Sequence, residues 1–290
     1  MDTAAGVAKL ASGVSGSAVR TVRPLLGGVS NRTYLVRLAP SIVYPSEVVV
    51  RIVGDQDRAV REAGALKILA STAVPAPRLL ARRKVPGEGW ALVCTRVPGR
   101  PTARPQDPRW LDTYAATLAA IHQVPRRRND LPVDPGAARP WLDSEPPPGL
   151  GQFGDLLWPA IGRRRTELGV GPHVLVHGDF HAGNVHWVRG RVSGIIDWEM
   201  ACWGPAAADV AYAYLDLALA AGRPSAESFF DRYVIRLGVP PGFDAWLLVA
   251  ASRPLPDPAV WLPSYALAGF DGLTPNLLRR RLGRLVRALV

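Results

Sequence analysis

Cysteine is nearly absent from this chain: 290 residues contain two, Cys94 and Cys202, each among apolar neighbours. A disulfide framework is thereby excluded, and both read as core residues of a protein from a reducing compartment, the cytoplasm. Long hydrophobic runs are lacking too. The longest apolar tract, residues 201–222, is interrupted by Pro205, Asp209 and Asp216, so no membrane-spanning helix is expected. The opening residues Met1-Asp2-Thr3-Ala4 have neither a basic start nor a continuous apolar centre, and no secretory leader is expected. Histidine is scarce, at five residues. His177 and His181 lie close together, but no Cys accompanies them, and zinc is not expected. Internal repeats and low-complexity tracts are missing.

Acidic residues are also in short supply, with 24 Asp/Glu against 35 Lys/Arg and a net charge of +11. The excess is unevenly spread. Residues 1–98 hold 14 basic against 6 acidic residues, residues 99–274 hold 16 against 18, and residues 275–290 hold 5 against none. A basic first part suits a triphosphate ligand. No RNP aromatics, zinc-finger spacing or heptads accompany the arginines, so nucleic acid is not the expected partner. Hydrophobic residues make up 48% and charged residues 20%, as in a soluble globular protein long enough for one large domain or two lobes.

The most informative stretch is His177-Gly178-Asp179-Phe180-His181-Ala182-Gly183-Asn184. Apolar residues 174–176 precede it and Val185-His186-Trp187-Val188 follow, so it reads as a loop between two short buried strands. A second short strand pair then delivers Ile195-Ile196-Asp197-Trp198. Two acids and an amide thus stand at strand ends, where a rigid scaffold can aim them. A His-Gly-Asp turn alone can be a plain β-turn with the Asp capping backbone amides. The full set, however, is what phosphoryl transfer needs: a carboxylate for the hydroxyl proton, and an Asn and an Asp to hold magnesium.

Upstream, residues 22–38 read as strand, Gly-rich turn and strand, with Gly27, Gly28, Ser30 and Asn31 in the turn. Glycines there let backbone N–H groups approach phosphates closely. Residues 47–53 form a further strand carrying Arg51. Residues 57–72 form a helix with Val60, Ala63, Leu66 and Ala70 on one side and Glu62 elsewhere. A strand over residues 90–95 leads to Val97-Pro98-Gly99, a linker between two lobes. Downstream come a helix over residues 107–123 ending at His122, a Pro- and Arg-rich loop over residues 125–150, and a helix opened by Pro205 and Asp209. His122 reads as a packing residue or a charge at a helix end. Thr274 and Pro275 start the final amphipathic helix, with Leu278, Leu282, Leu285 and Leu289 on one face.

The pattern H-G-D-x-H-x-x-N followed by I-I-D-W resembles the catalytic core of the aminoglycoside phosphotransferase family of kinase-like enzymes, and the likeness runs from about residue 24 to residue 221. The resemblance implies an α+β, two-lobed protein-kinase-like fold. Residues 1–98 would form a nucleotide-binding lobe built on a small antiparallel sheet with one helix, and residues 99–290 a mainly helical catalytic lobe. It further implies ATP and Mg2+ as cofactors, a small-molecule hydroxyl substrate, no nucleic-acid or membrane partner, and a monomer or homodimer. Asp179 would be the base or orienter of the hydroxyl, with Asn184 and Asp197 the metal ligands. His181 would lie near the transferred phosphate or brace the loop. Arg51 stands where kinases carry a strand Lys and Glu62 where they carry its helical partner; an Arg there can fork two phosphate oxygens. Gly27, Gly28, Ser30 and Asn31 would cover the phosphates, and the adenine edge would meet backbone near Val93 to Thr95. Asp209 would support the catalytic loop or act as a helix N-terminal charge. The rival reading is a kinase-like nucleotide-binding protein without catalysis, which the joint presence of Asp179, Asn184 and Asp197 disfavours. The near-neutral second part, with Trp198 and Trp203 beside Asp197, points to a moderately apolar alcohol, or at most one quaternary cation, as acceptor.

Overall fold

The computed structural model describes residues 4–25, 31–126, 131–133 and 149–290. Five strands build one antiparallel sheet: β1 (Val19–Leu25), β2 (Arg32–Leu38), β3 (Glu47–Val53), β4 (Leu79–Val85) and β5 (Gly89–Thr95), in the order β1-β2-β3-β5-β4. Successive side chains in a strand point to opposite faces, so each strand serves two environments. Val48, Val50 and Ile52 of β3 join Ala91 and Val93 of β5 in a small core under helix α1 (Ala4–Ser15), which contributes Val7 and Ala11. Leu92 and Cys94 face the other way and merge with the large core of the molecule. Arg51 takes this second direction, towards helix α2 (Gln56–Leu69).

Helix α2 starts at Asp55, whose carboxylate accepts the amides of Asp57 (2.8 Å) and Arg58 (3.1 Å). Such a cap satisfies amide donors that the first turn leaves open. The buried stripe is Ala59, Glu62, Ala63, Leu66 and Leu69, while Val60 is exposed. The sequence pattern had placed Val60 and Ala70 on the inner side. The helix is rotated from that reading because Glu62 must turn inward to meet Arg51.

The second half contains helices α3 (Pro108–His122), α4 (Gly151–Arg163), α5 (Ala207–Ala220), α6 (Arg223–Leu237), α7 (Phe243–Ser252), α8 (Leu262–Ala268) and α9 (Pro275–Leu289). Helix α3 is capped by Asp107 with Pro108 behind it, and α9 by Thr274 with Pro275 behind it. Almost every residue of α5 is buried, so this Ala- and Leu-rich helix forms the axis of the half. Short strands complete it: β7 (His173–Val176) pairs with β10 (Cys202–Pro205), and β8 (Val185–Val188) pairs with β9 (Arg191–Ile195) and β6 (Arg100–Pro101). The stretch 177–184 therefore joins two different small sheets. Antiparallel sheet first and helices second is the mixed arrangement expected for a kinase-like chain. Cys94 and Cys202 are both buried. Among the described residues, no helix is long and apolar enough to cross a membrane.

Candidate active site

Two carboxylates of α5 hold the loop 177–184 from beneath. Asp209 is fully buried and accepts the backbone amides of His177 (2.7 Å) and Gly178 (2.8 Å). Seven residues later, hence two turns along the same helix face, Asp216 accepts the amide of Ala182 (3.2 Å). Burial pushes the Asp216 carboxyl up. Below Asp209, His122 completes a buried chain: its Nε2 is 3.4 Å from Asp209 Oδ2 and its Nδ1 2.7 Å from the Tyr233 hydroxyl. Asp209 thus takes the loop-supporting role of its two readings, and His122 is a buried partner in that network. Asp216 had no motif around it to flag it in the sequence.

Gly178 has φ +80°, and a Cβ there would stand 2.6 Å from the carbonyl oxygen of Met200. Only glycine fits so close a turn. His177, fully buried, donates from Nε2 to the Ile196 carbonyl (3.0 Å) and accepts the Asp179 amide at Nδ1 (3.2 Å). Burial lowers its pKa, so it stays neutral and links the loop to the segment bearing Asp197.

Around the Asp179 carboxylate three side chains converge. Asn184 Nδ2 donates to the Asp179 carbonyl (3.0 Å) and to Oδ2 (3.3 Å). His181 accepts the Gly183 amide at Nδ1 (3.1 Å), which puts its proton on Nε2, 3.7 Å from Asp179 Oδ2. His181 therefore braces the loop and also turns toward the carboxylate. Arg253, just after α7, donates to Asp179 Oδ1 (2.8 Å) and to the Gly178 carbonyl (3.1 Å). Its guanidinium lies 3.6 Å from the centre of the Tyr212 ring. Burial works against the Asp179 carboxylate, but His181 and Arg253 outweigh it and leave its pKa lowered. Asp179 is thus a weak base, suited to orienting a hydroxyl and taking its proton late. Arg253 was missed by sequence reasoning because it lies 74 residues from Asp179 and carries no motif.

Asp197 faces this group from the β9 side. The amide of Ile196 donates to the Asn184 carbonyl (3.0 Å), tying the two segments together. Asp197 itself adopts φ 69° and ψ 56°, a left-handed conformation rare outside glycine. Such strain concentrates where a side chain must be aimed. Arg51 binds it through Nη2 (2.7 Å to Oδ1) while Nη1 grips Glu62 (2.7 Å). Burial opposes the Arg51 charge, yet Glu62 and Asp197 more than offset that and raise its pKa. Burial likewise pushes Glu62 up against the pull of Arg51. Glu199, two residues past Asp197, collects Arg58 (2.8 Å), Arg51 (3.4 Å) and Asn31. Its carboxyl is raised by burial and by the nearby Asp197. Glu199 and Arg58 extend the predicted set, and the acid spacing D-W-E was the signal available for the first. No cluster of three His, Cys, Asp or Glu able to hold a metal occurs among the described residues. The Asn184 amide oxygen and the Asp197 carboxylate still form a hard-oxygen pair of the kind magnesium uses when phosphates and water fill its remaining positions.

Other expectations need correction. Val93 is paired on both sides, with Val50 of β3 and Ala81 of β4, and its side chain lies in the small core. A strand hydrogen-bonded along both edges has no backbone left for an adenine. Thr95 closes the strand, its amide and hydroxyl both bonded to Arg78. Trp198 and Trp203 are fully buried and do not wall an acceptor pocket. The half-buried ring of Trp261 lies near the site, edge-on to Tyr212 at 5.9 Å. Gly27, Gly28 and Ser30, and most of the loop over residues 125–150, lie outside the described residues.

A sheet half over a helical half, with an Asp-Asn loop opposite an Asp gripped by an Arg–Glu pair, defines the kinase-like phosphotransferases. The comparisons agree in fold. The aminoglycoside phosphotransferase APH(4)-Ia is similar over 99% of each chain, at 18% identity and a TM-score of 0.69. Spectinomycin phosphotransferase APH(9)-Ia, seen with ADP and spectinomycin, is similar over 99% of this chain and 98% of its own, at 13% identity and a TM-score of 0.63. Macrolide 2′-phosphotransferase MphH of Brachybacterium faecium covers 93% of this chain and 98% of its own, at 18% identity and a TM-score of 0.60. A stretch of 68 residues is 40% identical to acyl-CoA dehydrogenase family member 10 of Mus musculus; it spans 23% of this chain and 6% of that protein. The model of the phosphotransferase enzyme family (APH) matches residues 21–249. The chain belongs to that family.

Proposed function

We propose that the chain is an ATP-dependent O-phosphotransferase acting on a hydroxyl of a small molecule, with the nucleotide held between residues 1–98 and residues 99–290. The observation that carries this reading is the grouping of Asp179, Asn184 and Asp197, with Arg51 anchored by Glu62 and laid on Asp197. Arg51 keeps its Glu62 contact and turns its second nitrogen to a phosphate oxygen, freeing Asp197. Asn184 and Asp197 would hold magnesium, which would supply charge neutralisation at the phosphates. Gly27, Gly28, Ser30 and Asn31 cover those phosphates, and the adenine edge meets backbone beyond Thr95, where the β5 ladder ends. Asp179 orients the acceptor hydroxyl. As its oxygen bonds to the γ-phosphorus and the bond to the ADP oxygen breaks, the hydroxyl proton passes to Asp179. The Nε2 proton of His181 donates to the transferring group.

The test pairs two variants in a magnesium titration of nucleotide binding and in an acceptor-dependent ADP-release assay. Asp179→Asn abolishes turnover with nucleotide affinity within about threefold of wild type, since the lost group serves the acceptor. Asp197→Ala weakens magnesium-dependent nucleotide binding as well. Full kcat in Asp179→Asn, or nucleotide binding indifferent to magnesium in the wild type, overturns the reading.

A further inference from the structure

The Asp179 carboxylate does not present bare negative charge to an acceptor. Arg253 neutralises Asp179 through Oδ1 at 2.8 Å and is itself locked by the Gly178 carbonyl and by the Tyr212 ring. The side chains of Arg253 and Asp179 keep 20% and 26% of their surface exposed, so the pair opens to solvent at one place. A guanidinium has five N–H donors. The two hydrogen bonds seen for Arg253 among the described residues use two of them, both on the Asp179 side. Helix α9, with Arg279, Arg280, Arg281, Arg284 and Arg287 and no acid, packs on the turn Pro258–Trp261. The acid preceding that turn, Asp257, is taken up by Arg279 (2.5 Å).

Resting on the reading of Asp179 as the residue that meets the acceptor hydroxyl, we propose that Arg253 determines acceptor specificity, by binding an oxyanion group, carboxylate or phosphate, carried close to the hydroxyl that is phosphorylated. A hydroxyl within hydrogen-bond reach of Asp179 lies within roughly 8 Å of the guanidinium. An acceptor oxyanion that takes the remaining N–H donors of Arg253 gains charge-assisted hydrogen bonds worth about 30-fold in binding, which an ammonium group cannot make. A planar fork also pairs with two oxygens at once, which a Lys cannot do. Polycationic aminoglycosides are therefore the acceptors this site is least fitted to hold.

Four acceptor pools test this by ADP release above the acceptor-free background: hydroxy-carboxylates, phosphorylated alcohols, neutral sugars and alcohols, and polycationic aminoglycosides. In the wild type, the highest kcat/KM falls in one of the first two pools, and which of them identifies the oxyanion. In Arg253→Gln it drops about 30-fold for that pool, with KM for ATP within twofold, and Arg253→Lys falls between. Should Arg253→Gln fail to fold, the wild-type ranking and Arg253→Lys still decide. A purely structural Arg253 lowers all pools alike, so the ratio of anionic to cationic acceptors separates the two roles. The proposal is overturned by an unchanged ratio or by a highest kcat/KM for neutral or polycationic acceptors. No turnover in any pool while magnesium-dependent ATP binding persists overturns instead the phosphotransferase function on which it rests, as does loss of that ATP binding in the wild type.

Discussion

Replacing Asp209 with Asn tests the support of the catalytic loop while preserving shape. The carboxylate is fully buried and accepts two amides, at 2.7 and 2.8 Å, from the residues immediately before Asp179. An Asn keeps one carbonyl oxygen and turns its NH2 group toward the second amide. That leaves a buried donor unsatisfied, at a cost of about 1–3 kcal/mol. The surviving bond loses its charge assistance, and the contact with His122 (3.4 Å) weakens, for about 1 kcal/mol more. Removing a buried charge returns part of this by lifting its desolvation penalty. A net loss of about 2–3 kcal/mol follows, which in a chain of this size lowers Tm by roughly 4–10 °C. Thermal melting by circular dichroism measures it. The same displacement moves Asp179, so kcat falls by about 10- to 100-fold. A Tm within about 1 °C of wild type, with unchanged kcat, would refute the view that Asp209 holds the loop.

Two further outcomes follow from the charged groups. Arg51→Ala should raise KM for ATP by about tenfold or more and Arg51→Lys by less, because an ammonium keeps charge without the fork; equal KM values in wild type and Arg51→Ala would return Arg51 to a purely structural role. His177 is held neutral by burial, so below about pH 6.5 the unfolded chain takes up a proton there that the folded chain does not. Stability should therefore fall as pH drops through that range, with a shallower slope in His177→Gln. Urea unfolding at pH 5, 6 and 7 reads the slopes, and identical ones would rule out this source.

The chemistry of the loop is readable because it is local. Asp179, His181 and Asn184 occupy one six-residue turn, and Asp197 follows one hairpin later, so adjacent residues alone define what they can do together. Caps are local in the same way: Asp107 and Pro108, Thr274 and Pro275 mark helix starts that the structure keeps. Strand alternation likewise separates Arg51 from Val50 and Ile52. Side-chain destinations across the fold are another matter. Trp198 and Trp203 flank Asp197 in the chain yet fill the core, because a residue one step from a site can point the opposite way. The resemblance paired Glu62 with Arg51, yet helical periodicity still turned Val60 inward, and the Arg51 guanidinium across from Glu62 explains why α2 rotates Val60 outward. Asp216 and Arg253 reach the loop from 34 and 74 residues away. No periodicity records such distances, since what brings those groups to Asp179 is the packing of α5 and α7 against each other.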